Sequence, residues 1–285
     1  MNNRQQNLLY LNLATLLGAG PTLFAKLIEL PALSIVFGRA LFGFLGILLV
    51  VLWQKQVIRP KNGRDLAILL GMGVSMAIHW VALFYAVQIS TVAVGIISVN
   101  TGLIMTILLE PLFFGERFSL LDLILGLVMF AGLLVLVPEF ELSNDTTRGV
   151  MFGVISAFFF VVRTLLSRRY VQRYPSIVVM GFQLFGVAAV LALPAIFLNQ
   201  PDPSQFFSWR MILLGLVFTA LLHTLYVQSL SGLKAKTTGL IGVLQVPYSI
   251  LAAMIFLAEY PPLRTWLGGV IVVVVVVIET LRTKD

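Results

Sequence analysis

The sequence predicts an all-α membrane protein of ten transmembrane helices, arranged as two inverted five-helix repeats, and three observations carry that reading. The 285 residues are 59% hydrophobic and only 11% charged, whereas soluble domains carry ~25% charge. Ten apolar stretches approach or exceed the ~20 residues that span a bilayer: 7–29, 32–53, 66–88, 91–113, 119–138, 148–171, 176–198, 209–230, 236–257 and 263–281. The chain also repeats itself at a spacing of 144 residues, as Pro31 with Pro175, Ile68-Leu69-Leu70-Gly71 with Ile212-Leu213-Leu214-Gly215, His79 with His223, and Gly95 with Gly239. After a one-residue slip, Glu116 and Gly126 answer Glu259 and Gly269. Apolar pairs coincide by chance in such a chain, but the two histidines falling in register do not. Five helices per repeat is an odd number, so the second repeat (144–285) enters the membrane opposite to the first (1–143), the arrangement of many secondary transporters.

Charge placement sets the topology. With a cytoplasmic N-terminus, 13 basic residues lie inside: Arg4, Lys55, Arg59, Lys61, Arg64, Arg117, Arg168, Arg169, Arg173, Lys234, Lys236, Arg282 and Lys284. Four lie outside, Lys26, Arg148, Arg210 and Arg264, and Arg39 and Arg163 fall within helices. This bias over short loops places both termini in the cytoplasm. The net charge of +7 therefore reports topology and excludes a nucleic-acid partner as its cause. The lipid bilayer is the partner that the composition demands.

Helix 1 is too long for a signal-peptide core and lacks a small-residue cleavage site, so it is expected to remain. It carries Gly18-Ala19-Gly20-Pro21 at mid-depth, and helix 9 carries Pro247. Each is either a watery break or a packing kink. Helix 2 holds Arg39, expected to be structural, with Gly38, Gly43 and Gly46; helix 6 holds Gly149 and Gly153, which permit close packing. On helix 3, Ser75 and His79 share a face, and Thr219 and His223 repeat the pair on helix 8, extended by Tyr226. Helices 4 and 9 match Thr101 with Gln245, flanked by Ser98 and Asn100 in one and Tyr248 and Ser249 in the other. Glu110, late in helix 4, reads as a pairing or interfacial group.

Polar groups inside hydrocarbon face a bundle interior or a cavity. Ser75, His79, Ser98, Asn100, Thr101, Thr219, His223, Tyr226, Gln245 and Tyr248 are accordingly candidates to bind a small-molecule substrate. The alternative for each histidine is a neutral imidazole bonded to a neighbouring helix. A coupling proton would suit histidine. Arg163 either holds a substrate carboxylate or snorkels toward the headgroups near Arg168. Among the aromatic residues, Trp80, Phe84, Tyr85, Phe158, Phe159, Phe160 and Tyr248 are candidate walls. The connections near 54–65, 139–147 and 199–208 are short. With no cysteine, disulfides and thiolate chemistry are excluded. No zinc, serine-nucleophile or phosphate-loop motif is found, so no catalytic residue, cofactor or metal is expected. Oligomeric state leaves no mark on these residues.

Phe114-Gly115-Glu116-Arg117-Phe118-Ser119 and Leu257-Ala258-Glu259-Tyr260-Pro261-Pro262, each with a glycine ten residues after its glutamate, resemble the EamA family of the drug/metabolite transporter superfamily. Arg39 and the run His79-Trp80-Val81-Ala82-Leu83-Phe84-Tyr85-Ala86 fit the same resemblance, which covers the whole chain. It implies ATP-independent transport of small metabolites, often export of amino acids or related compounds. Members often carry proline in both fourth helices of the repeats. Here Leu103 is read as standing opposite Pro247, so that no proline marks a break at the matching point of helix 4. The rival readings are uptake, a nucleotide-derived or lipid-linked substrate, or a membrane scaffold or intramembrane enzyme. An enzyme should show paired catalytic groups, and a scaffold need not duplicate mid-membrane polar residues.

The topology is testable with reporter fusions. Fusions at Asp285 and in the 54–65 loop should both read cytoplasmic, and a periplasmic reading at either defeats the two-sided charge argument.

Overall fold

The computed structural model describes residues 3–55, 59–115, 120–136 and 143–282. Glu116 and Arg117, the boundary stretch 137–142, and Lys284 and Asp285 lie outside them. Helix follows helix: α1 (Asn3–Leu27), α2 (Ala32–Trp53), α3 (Gly63–Ile89), α4 (Val92–Phe114), α5 (Leu120–Leu136), α6 (Asp145–Tyr170), α7 (Ser176–Asn199), α8 (Trp209–Ser229), α9 (Ala235–Leu257) and α10 (Leu263–Arg282). Among the described residues, eight of these helices, α1 to α4 and α6 to α9, are long and apolar enough to cross a membrane. No strand occurs among the described residues.

The side chains are sorted inside out relative to a soluble protein. Leu49, Leu52, Leu193, Phe197, Leu198 and Phe256 are exposed on the rim, while Arg39, His79, Glu110, Arg163, Gln183 and Thr219 are buried. Lipid accepts the first set without cost, and the polar set must find partners within the bundle. Packing runs largely between the two halves of the chain: α2 on α7, α3 on α6 and α7, α1 on α8, α4 on α6, α9 on α1, and α5 on α10. Helices α3 and α7 approach backbone to backbone. A Cβ on Gly73 would stand 2.7 Å from the Gln183 carbonyl oxygen and 2.8 Å from Gly186 Cα. Only paired glycines let two backbones come so near.

Three spans are interrupted at mid-depth. In α1 the break falls at Gly18, between Asn3–Leu17 and Ala19–Leu27, with Pro21 unable to donate to the preceding turn. In α9 it falls at Val243-Leu244, between Ala235–Gly242 and Gln245–Leu257. The absence of a mid-depth proline does not keep α4 whole, its one proline, Pro111, lying in the last turns. It breaks at Asn100-Thr101, between Val92–Val99 and Gly102–Phe114. There Asn100 Nδ2 donates to the Ile96 carbonyl at 2.7 Å, and Thr101 Oγ1 to the Ser98 carbonyl at 2.7 Å. Side-chain bonds of this kind compete with the helical ladder and stand in for the missing proline.

The bounds of these four segments correspond end for end at a spacing of 143 residues, as do the left-handed residues that follow them, Gly115 (φ 71°) and Ala258 (φ 53°). The register slip expected near Glu116 therefore comes earlier, before α4. Leu244, not Gln245, stands opposite Thr101, and Ile104, not Leu103, stands opposite Pro247.

Gly73→Ala should force α3 and α7 apart and destabilise the protein by about 1–3 kcal/mol. Gly71→Ala, where an added Cβ meets nothing within 4 Å, should be neutral or slightly stabilising. Thermal unfolding of both purified variants checks the pair, and equal melting temperatures would refute the packing account.

Candidate functional site

The three breaks converge on one cavity. It is lined by Thr15, Gly18, Pro21 and Thr22 of α1, Arg39 of α2, His79, Trp80 and Leu83 of α3, and Val99, Asn100, Leu103 and Thr106 of α4. From the other half come Phe160 of α6, Leu222, His223 and Tyr226 of α8, and Ala235, Thr238, Gly239, Gly242 and Gln245 of α9. The space open to water is about 110 Å³, room for several waters or a small organic molecule. Gln245 Nε2 donates to the Gly18 carbonyl at 2.6 Å, so the side chain that begins the second segment of α9 satisfies the backbone broken in α1.

Of the residues the sequence singles out, His79, Asn100, His223, Tyr226 and Gln245 line this cavity, with Trp80 and Phe160 as aromatic walls. The others stand behind it. Ser75 donates to the Phe159 carbonyl at 2.9 Å. Ser98 is fully buried against Gly153, and Thr101 is spent on the α4 break. Tyr248, Tyr85 and Phe158 are more than a third exposed on the outside of the bundle. The repeated hydroxyl–imidazole pairs do not bond to each other. His79 Nδ1 lies 2.7 Å from Ser156 Oγ and 3.0 Å from the Ser156 carbonyl, both on α6. His223 stacks obliquely on Trp80, 5.0 Å between ring centres, and its Nδ1 is buried with no partner among the described residues.

The two buried arginines exchange the roles expected of them. Arg163 neither snorkels nor reaches the cavity. It is fully buried, its Nε donating to Gln183 Oε1 at 2.7 Å and its guanidinium 5.7 Å from the centre of the Tyr226 ring. Gln183 in turn donates to Ser167 Oγ at 3.0 Å. Arg39 lines the cavity. Its Nε donates to Thr219 Oγ1 at 2.8 Å and its Nη2 to the Phe218 carbonyl at 3.2 Å, while its guanidinium lies 4.0 Å from the Trp80 ring centre and 5.0 Å from that of Phe84. Thr219 can receive it because α8 widens to a π-helical turn at Leu216–Leu221, where Thr219 Oγ1 donates to the Leu214 carbonyl five residues back. A mid-helix arginine is visible in the sequence; that local widening is not.

Each end of the bundle carries a carboxylate that caps a helix. Glu259, just past α9, accepts from the Val92 amide at the start of α4 at 3.0 Å and lies 3.5 Å from Lys26 Nζ of α1. Lys26 also donates to the Ser90 carbonyl at 2.9 Å. At the other end Glu110, late in α4, accepts from the Ala235 and Lys236 amides at the start of α9, each at 2.9 Å, and pairs with Arg168 of α6. Thus α4 and α9 cap each other's N-termini, where the free amides and helix dipole favour an anion.

Membrane-spanning helices wrapped about a central chamber of mixed polar and apolar lining define a multi-pass membrane protein built around a ligand-sized site. The chain belongs to the EamA-like transporter family, whose profile matches residues 6–137 and again 147–280. Its relatives include two Bacillus subtilis (strain 168) proteins. Uncharacterized transporter YxxF is 24% identical over 257 residues, covering 87% of this chain and 81% of that one. Uncharacterized transporter YdfC is 21% identical over 239 residues, covering 82% and 77%. A solved crystal structure with 18% identity matches with a TM-score of 0.72 over 99% of both chains, so the fold is shared.

Proposed function

We propose that this protein is a secondary transporter of a bacterial-type plasma membrane, exporting small amphipathic metabolites of amino-acid kind by alternating access. It has ten spanning helices in two inverted repeats, 1–143 and 144–285, with both termini cytoplasmic. The observation that carries the reading is the cavity itself, which lies between the halves, is lined by both, and is reached by three broken helices. Broken helices at mid-membrane are the usual means of presenting backbone and polar groups to a transported solute. The repeat reading draws on the twofold match of the family profile and on the 143-residue correspondence of α4 with α9. Packing adds to it, because α3 on α6 and α8 on α1 are counterparts, as are α4 on α6 and α9 on α1. Export is the direction the family resemblance implies. The protein acts as a carrier and not as an enzyme. A coupling proton would ride on His79 or His223, the cavity-lining side chains that ordinarily titrate near neutrality.

In this reading the two carboxylate caps are the gates. Opening to the outside parts Glu259 from Val92 and Lys26; opening to the cytoplasm parts Glu110 from Ala235, Lys236 and Arg168. Rocking one half against the other breaks one set while the other holds.

Metabolites released by cells with and without the protein should differ in one small amphipathic class, and its counterflow into proteoliposomes measures transport. His79→Ala and His223→Ala should each lower that flux about tenfold at equal membrane abundance, the loss of one buried polar contact. Normal flux in both returns the histidines to a packing role.

The gates are tested separately, helped by the absence of native cysteine. In a Val99→Cys background, Glu259→Gln should raise labelling by an impermeant maleimide from outside, and Glu110→Gln from the cytoplasmic face. If both variants label alike from one face, the caps are structural only.

A further inference from the structure

Two guanidinium groups lie buried at mid-membrane, Arg39 at 1% exposure and Arg163 at 0%, and neither pairs with a carboxylate among the described residues. Arg39 spends its Nε and one Nη2 hydrogen on Thr219 and Phe218. Its remaining N–H groups have no protein acceptor among those residues. Arg163, one layer behind Tyr226, leaves its Nη1 without a partner. The stacking of Arg39 on Trp80 offsets part of the burial cost, but a ring is no counter-ion. An uncompensated charge in such a place is expensive and is kept where a ligand completes it.

The rest of the lining tells what completes it. Among the described residues no Asp or Glu lines the cavity, and the two carboxylates nearest in the chain to its α4 and α9 walls, Glu110 and Glu259, are committed to the end caps. His79, Asn100, His223 and Gln245 supply neutral polar groups. Trp80, Phe160 and Tyr226 supply apolar surface. A carboxylate meets the free hydrogens of Arg39, whereas an ammonium meets two like charges and no anion.

We propose that the substrate is an organic anion, an apolar or aromatic carboxylate without a free ammonium group, its carboxylate seated on Arg39 and its hydrocarbon part against Trp80, Phe160 and Tyr226. This rests on the cavity being the transport site and narrows the amino-acid kind to its amine-free members, such as amino acids deaminated or acylated at nitrogen.

The test uses the purified full chain and two matched sets of probes. One is 3-phenylpropionate, phenylalanine, phenethylamine and 3-phenylpropionamide; the other is 4-methylpentanoate, leucine, isopentylamine and 4-methylpentanamide. Calorimetric titration should rank the amine-free carboxylate first in at least one set, about tenfold or more above its three partners. Arg39→Gln should abolish that preference, and Arg39→Lys should keep part of it. The ranking on the unaltered protein needs no variant, so misfolding of Arg39→Gln leaves the test intact. The inference is overturned if an amino acid or amine binds as tightly as its carboxylate, if folded Arg39→Gln keeps the preference, or if neither set binds. Proteoliposome flux separates the two readings. Flux of leucine or phenylalanine without binding of the carboxylates sinks the anion inference and leaves transport standing. Carboxylate binding at Arg39 with no flux of any solute sustains the anion site and sinks transport.

Discussion

A helix interrupted inside a bilayer releases carbonyls that lipid cannot bond, and the organisation of this protein follows from how those carbonyls are satisfied. Gln245 of α9 reaches the Gly18 carbonyl of α1, while Asn100 and Thr101 turn back on their own helix in α4. Polar side chains must therefore gather where the breaks are, and the breaks must be close enough to share them. The cavity is the space left between three such interruptions. Its walls come from both halves because α1 and α4 belong to one and α9 to the other.

The same constraint operates at the ends. An N-terminus at the rim of the bundle exposes unpaired amides, and here each of the two crossing helices supplies the carboxylate that caps the other. Fixing α4 against α9 twice, once at each end, makes their relative tilt an all-or-none matter at each face. Packing at the centre is equally intolerant, since Gly73 and Gly186 hold α3 and α7 backbone to backbone. The two halves are thus joined by close backbone packing in α3 and α7 and by polar contacts at the ends of α4 and α9.

The site itself is less symmetric than the scaffold. Arg39 of α2 has Gln183 as the residue 144 positions later in α7, and Gln183 is the acceptor for Arg163, which lies opposite Ala19. The two halves thus place their arginines on different helices, and both charges end on the same side of the electrostatic ledger. Helices from both halves of the chain build the chamber, and Arg39 gives its wall a positive charge.

Much of the helical plan was legible in the residues, because spanning a bilayer demands apolar runs of a definite length and the runs can be counted. Glycine and proline marked Gly18 and Pro247 locally as either a break or a kink, and the structure breaks the helix at Gly18 and just before Pro247. The break in α4 had no such mark: Asn100 and Thr101 unwind it through bonds that many helices with Asn or Thr never make, and only packing decides whether they form. Composition and periodicity likewise marked His79, Asn100, His223, Tyr226 and Gln245 as polar groups out of place in lipid, and these do line the cavity. They could not separate them from Ser75, Ser98 and Thr101, which are equally polar but spent on backbone or buried against glycine. Nor could they tell that Arg39 faces the cavity while Arg163 turns to Gln183. By itself the sequence determined which segments are apolar enough to enter a membrane and which residues are too polar to face lipid, because both follow from transfer out of water, a property of each residue and its near neighbours. Tertiary structure decided which of those residues meet one another and which face empty space, because a buried hydrogen bond depends on partners from helices as far apart as α1 and α9, whose positions no single segment encodes.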